Sequence, residues 1–207
     1  KDGLFKVSEK SKKKPKSVYG KTKLAAEKII INFCKLNKLN YGILRYFNIV
    51  GSSPSGKIGL INKGDHLFKN FSIESMKKKP HYKIYGTDYN TYDGSCIRDF
   101  IHVCDIAEIH YKTLKKINDL NVSKILNCGY GKGSTVKEVA KEFGNQINKK
   151  FKISKLPRRK GDLVKIIALN KKLKSFIKWK PKYKSLKLMV KSSLKWERLI
   201  TKKKKNV

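Results

Sequence analysis

Residues 124–143 constrain the fold more than any other stretch. KILNC, residues 124–128, is a short strand-like run of the buried kind; GYGKGST, residues 129–135, is a glycine loop; Thr135–Phe143 then has helical spacing, with Ser134 as the expected cap. Strand, glycine loop and helix in that order is an α/β signature. The same elements recur upstream. Apolar residues from Thr22 to about Leu36 repeat at helical spacing, with Leu24, Ala25, Ile29 and Phe33 on or near one face. Asn37–Asn40 supplies a turn, and Tyr41–Phe47 is an apolar and aromatic run of the type buried in parallel sheets.

The rest of the chain is consistent with this reading. Residues 1–18 are polar and lysine-rich and read as a loop; GSSPSGKIG, residues 51–59, reads as another. A helix is expected from about His66 to Met76, a strand over 82–85, a helix from an Asp105 cap to about Lys116, and a terminal helix after Pro181. The glycine loop fits neither the Walker spacing nor the dinucleotide fingerprint, so it is read as a structural turn.

The formal net charge is +36. A charge of this size raises the question of phosphate-bearing partners. Yet arginine occurs only at positions 45, 98, 158, 159 and 198, and lysine is spread along the whole chain. Nucleic-acid interfaces favour arginine with interleaved aromatics, so a solvated lysine surface is the better reading and a basic nucleic-acid-binding protein the alternative from another class. Cys34, Cys96, Cys104 and Cys128 have no zinc-ligand spacing and read as thiols in a reducing cytoplasm. No segment approaches the ~20 apolar residues of a membrane span, and no metal site is expected. None of the four histidines is assigned to catalysis; His102 reads as a core residue.

Tyr19 and Lys23 stand four apart, which places phenol and ammonium one turn from each other on a helix. A free phenol, with a pKa of about 10, is a poor base at neutral pH, and a fixed cation beside it stabilises the phenolate. This is the Tyr-x-x-x-Lys chemistry of proton abstraction from a hydroxyl.

Around that pair, SVYGKTKLAAE at 17–27 resembles the catalytic segment of extended short-chain dehydrogenases/reductases. LRYFNIVG at 44–51, YGTDYNTYDGSCIRDFIHVCDIA at 85–107 and RRKGD at 158–162 resemble the nucleotide-sugar epimerases of that family, in particular the UDP-glucose 4-epimerase type. The resemblance implies a Rossmann-type doubly wound parallel sheet plus a smaller α/β substrate domain. Residues 1–50, with 97–128 returning to it, would belong to the NAD-binding domain; 51–96 and 129–200 would bind the UDP-sugar; 201–207 would be a basic tail.

By the same resemblance Tyr19 and Lys23 are catalytic, and Tyr19, Lys23 and Phe47 contact NAD. Asn48, His66, Leu67, Lys83, Ile84, Tyr85, Arg98, Arg159, Asp162 and Ile166 line the substrate site. Arg98 and Arg159 point to the diphosphate, Asp162 to ribose hydroxyls, and Ile166 to a position that limits sugar size. For Arg98 the structural alternative is an ion pair with Asp99 or Asp105. The implied reaction is interconversion of UDP-glucose and UDP-galactose through a 4-keto sugar, in a homodimer for which the helix at 22–36 is a candidate face. Another epimerase or dehydratase of the family is the alternative. The glycine-rich βαβ unit that would hold the cofactor pyrophosphate is absent from these residues, so the stretch alone is expected to be inactive and prone to aggregate.

Overall fold

The computed structural model describes residues 6–15, 17–62, 64 and 66–205. The expected loop at 1–5 and the last two residues of the expected basic tail lie outside them. In chain order the elements are β1 (Lys6–Val7), α1 (Val18–Leu36), β2 (Gly42–Tyr46), β3 (Asn48–Val50), α2 (Leu67–Ser75), β4 (His81–Tyr85), β5 (Ile97–Arg98) and β6 (Phe100–His102). There follow α3 (Val103–Leu120), β7 (Lys124–Cys128), β8 (Ser134–Thr135), α4 (Val136–Ile147), β9 (Lys152–Leu156), β10 (Lys165–Ala168), α5 (Lys171–Ile177) and α6 (Leu186–Lys205).

Pairing is almost wholly parallel. β2 runs beside β7 from Gly42↔Lys124 to Tyr46↔Cys128, β3 beside β6, and β4 beside β9. A further sheet has the order β1-β10-β5-β8, in which only β5 and β8 are antiparallel. With helices packed on these strands this is the α/β class that the glycine loop announces. β1 corrects the reading of residues 6–7 as loop: Val7 pairs with Ala168, a partner so distant that no local signal marks it. Likewise α6 continues to Lys205 through most of the expected tail.

Two apolar clusters form the interior. One gathers Phe68, Phe71, Tyr82, Ile84, Phe100, Val139, Phe143 and Val190 around α2, α4 and α6, with Phe71 and Phe143 edge to face at 5.7 Å. The other joins Ile101, Ile109, Leu126, Leu173 and Trp179 around α3, α5 and β7. Tyr130 touches both. Its ring stacks on Trp179 at 5.9 Å, its hydroxyl donates to Asp105 Oδ2 and accepts from the His102 amide, and its own amide donates to Asp99.

Helix caps depart from expectation twice. α3 is capped by His102, whose Nδ1 accepts from the Cys104 amide. Asp105 lies within the first turn and instead accepts from the amides of Lys182 and Tyr183. α4 is capped by Thr135 rather than Ser134, in a reciprocal capping box with Glu138. The glycine loop also has its own occupant. Buried Asp99 accepts from the amides of Tyr130, Gly131 and Ala168, so the loop grips a carboxylate of the protein itself.

Candidate active site

α1 starts at Val18, four residues before the expected boundary, because the Ser17 hydroxyl accepts from the Gly20 amide and caps it. Tyr19 therefore sits in the first turn, 72 % exposed, with Lys23 Nζ 5.4 Å from its ring centroid. The apolar face expected of α1 is present but uncovered: Ile29, Phe33 and Leu36 are exposed, and Glu27 is the helix's buried residue. Glu27 holds the helix in place through Arg45 and Lys13. Arg45 then passes directly into the next part of the site.

Phe47 is the single residue between β2 and β3. Its amide donates to the Cys128 carbonyl, and the Asn48 amide to the Asp99 carbonyl, so the chain changes sheet partner at this point. The resulting break in the ladder sets Phe47 and Asn48 at the strand ends, where α/β folds place ligand contacts.

The opposite wall is cationic. Arg98 Nη1 donates to the carbonyls of Leu163, at 2.7 Å, and Ile97, and Nη2 meets Asp162 Oδ1 at 3.3 Å. Its ion pair is thus with Asp162 and not with Asp99 or Asp105. Arg159 lies over the Tyr85 ring at 4.1 Å, and Arg158 over Tyr89 at 4.3 Å while also gripping Asp88. The Arg158 guanidinium, hydrogen-bonded to Asp88, holds that carboxyl below its ordinary range. Burial raises the Cys96 thiol above its ordinary value.

These parts face one cavity of about 1950 Å³. Tyr19, Lys23, Phe47, Asn48, His66, Leu67, Lys83, Tyr85, Arg98, Arg159 and Asp162 all line it, although they come from well-separated stretches of sequence. Two expected residues do not. Ile84 is fully buried in the first apolar cluster, because strand alternation turns it away from Lys83 and Tyr85. Ile166 is half-buried in β10 beside Arg98 and is not part of the wall.

Sequence reasoning missed Tyr46, Cys96, Trp196 and the buried Lys69–Glu197 ion pair, all of which line the cavity. Tyr46 stood in a quoted motif. For Lys69 and Glu197, 128 residues apart, the sequence holds no signal. Among the described residues no group of three or more His, Cys, Asp or Glu side chains is placed to hold a metal, and no helix is long and apolar enough to cross a membrane.

Comparison with known proteins agrees with this geometry. Residues 4–129 match the model of the NAD dependent epimerase/dehydratase family. The UDP-glucose 4-epimerase of Azospirillum brasilense is 35% identical over 185 residues, 89% of this chain and 53% of that protein. UDP-arabinose 4-epimerase 1 of Arabidopsis thaliana is 35% identical over 202 residues, 95% of this chain and 48% of that protein. Among solved structures, the UDP-glucose-4-epimerase of Stenotrophomonas maltophila, with bound NAD and formylated UDP-arabinopyranose, superposes with a TM-score of 0.91 at 30% identity. That match covers 98% of this chain and 61% of that one. The Bifidobacterium longum UDP-glucose 4-epimerase in complex with NAD+ and UDP gives a TM-score of 0.78 at 28% identity, covering 95% and 59%. The chain spans about half the length of the curated relatives it matches. With more than half of its residues inside the family model and the expected motifs gathered on one cavity, the chain belongs to the NAD dependent epimerase/dehydratase family.

Proposed function

We propose that this chain forms the substrate side and part of the cofactor side of a UDP-hexose 4-epimerase that interconverts UDP-glucose and UDP-galactose. The observation that carries the reading is the convergence of Tyr19, Lys23, Phe47, Asn48, Tyr85, Arg98, Arg159 and Asp162 on one cavity. The two apolar clusters support a division into a cofactor-side unit, residues 1–50 with 97–128, and a substrate unit, 51–96 with 129–200. Leu173, Ile177 and Trp179, however, pack with the former, and Val50 and Phe100 with the latter.

The residues present fit one face of NAD. An exposed phenol with an ammonium near its ring, on the same cavity as the aromatic Phe47, offers a nicotinamide riboside polar partners and an apolar surface. When bound beside these residues, NAD would supply reversible hydride chemistry to the sugar. Tyr19 removes the proton of the sugar 4-hydroxyl, Lys23 stabilises the phenolate and holds the ribose, and Phe47 packs against the cofactor. Arg98 and Arg159 anchor the diphosphate, Asp162 and the wall at His66, Leu67, Lys83 and Tyr85 hold the uridine, and Asn48 contacts the sugar. A firm anchor lets the keto sugar turn over and receive the hydride on its other face.

The uncovered side of α1, with Ile29, Phe33 and Leu36, is the surface we assign to a second copy of the protein. All four cysteines are free, which fits a cytoplasmic setting. The test is a coupled assay for UDP-glucose formed from UDP-galactose with NAD, run on the natural polypeptide that carries these residues. Activity that falls by orders of magnitude in Tyr19→Phe supports the reading; turnover indifferent to Tyr19, or none on any UDP-hexose, refutes it.

A further inference from the structure

The ion pair between Arg98 and Asp162 joins the two side chains that the proposed function assigns to adjacent parts of one ligand. Nη2 of Arg98 lies 3.3 Å from Asp162 Oδ1, while Nη1 is tied to the carbonyls of Ile97 and Leu163. The guanidinium is mostly buried, with 13 % of its side chain exposed, and three hydrogen bonds engage it out of five N–H donors. It is held, and it still has donors to give. Asp162 is more exposed and sits on a turn that its own amide closes on the Arg159 carbonyl. With 30 % of its side chain exposed and one bond to the guanidinium, the carboxylate is the less restrained member of the pair.

We infer that Asp162 is a specificity-determining residue. It screens Arg98 against phosphate-bearing ligands that lack a ribose. This rests on the nucleotide reading of the cavity proposed above. A bare diphosphate that approaches Arg98 meets a carboxylate already paired with the guanidinium, and the like charges repel. A nucleoside diphosphate brings vicinal hydroxyls that donate to the same carboxylate, so the neighbour that repels a bare anion accepts hydrogen bonds from the nucleotide. Arg159, stacked on Tyr85 in the same cavity, is paired with no carboxylate among the described residues and attracts both ligands alike.

The test is calorimetric titration of the natural polypeptide that carries these residues with UDP and with inorganic pyrophosphate in metal-free buffer, for the wild type, Asp162→Asn, Asp162→Ala and Asp88→Asn. The last removes an equal charge from the carboxylate that pairs with Arg158. Both Asp162 variants should bind pyrophosphate roughly fivefold or more tightly and bind UDP no better, so the preference for UDP collapses. Asp88→Asn should leave pyrophosphate binding unchanged. If UDP binds but pyrophosphate affinity is unmoved in both Asp162 variants, or rises equally in Asp88→Asn, the screening role is refuted and the nucleotide site stands. If the wild type shows no saturable UDP binding, the nucleotide reading falls and the inference with it.

Discussion

Glu27 on α1 and Arg45 on β2 form a two-pronged ion pair, Nε to Oε2 at 2.9 Å and Nη2 to Oε1 at 2.6 Å. The bond ties the helix that carries Tyr19 and Lys23 to the strand that leads into Phe47 and Asn48. The hydrogen bond from Arg45, with a further one from Lys13, holds the Glu27 carboxyl below its ordinary 4.5 against the opposing effect of burial. A depressed carboxylate contributes stability that is fully present above its unfolded value and is lost as pH falls through the folded one. Denaturant melts should therefore show the wild type losing stability below about pH 4.5. Glu27→Gln should be weaker by about 2 kcal/mol at pH 7 and lose less on acidification. Equal acid sensitivity in the two proteins would remove Glu27 from the account.

Arg98 and Arg159 should matter for nucleotide binding, and Ile84 for stability alone. Replacing either arginine by alanine should weaken UDP binding by about tenfold or more; Arg159→Ala should do so with little change in melting, whereas Arg98→Ala should also lower it, since the carbonyls of Ile97 and Leu163 lose their donor. Ile84→Ala should instead cost about 2–5 kcal/mol of stability and leave the UDP affinity of the folded protein nearly unchanged. Titration and melting on the same three samples separate the roles.

Gly94 closes the turn before β5 with φ +80, and a Cβ there would lie 2.2 Å from the Thr87 carbonyl oxygen. That clash is with backbone, and the conformation itself is unfavourable to L side chains. Gly94→Ala should lower stability by about 2 kcal/mol or more, read from urea midpoints. Gly161→Ala, with equally positive φ and free space, should cost less.

Lys69 and Glu197 are paired at 2.7 Å with 4 % and 8 % of their side chains exposed. Removing one partner strands a buried charge, so Glu197→Gln should cost about 3–5 kcal/mol, while Lys69→Met with Glu197→Leu should recover most of that loss. Failure of the double variant to recover would show that the Lys69 bond to the Leu60 carbonyl is the larger contribution.

The sequence showed which residues share a face more readily than what covers that face. Helical spacing on α1 was legible, yet Ile29 and Phe33 are exposed, because periodicity carries no information about a neighbour. The cap at Thr135 was legible too, since Thr135 and Glu138 spell a capping box; reading Ser134 passed over it. Ile84 could have been separated from Lys83 and Tyr85 by strand alternation alone. The partners of Asp105, 77 and 78 residues on, and the β1–β10 pairing are products of the tertiary fold with no local trace.

Tyr130 stands where the two interiors meet, stacked on the tryptophan of one and packed against the other. Its hydroxyl and amide both terminate on buried carboxylates, Asp105 and Asp99, so neither interior can loosen without breaking a bond on the same ring or its backbone. The molecule is riveted at that residue. Loosening one interior therefore strains the other, and heat should melt both in a single step.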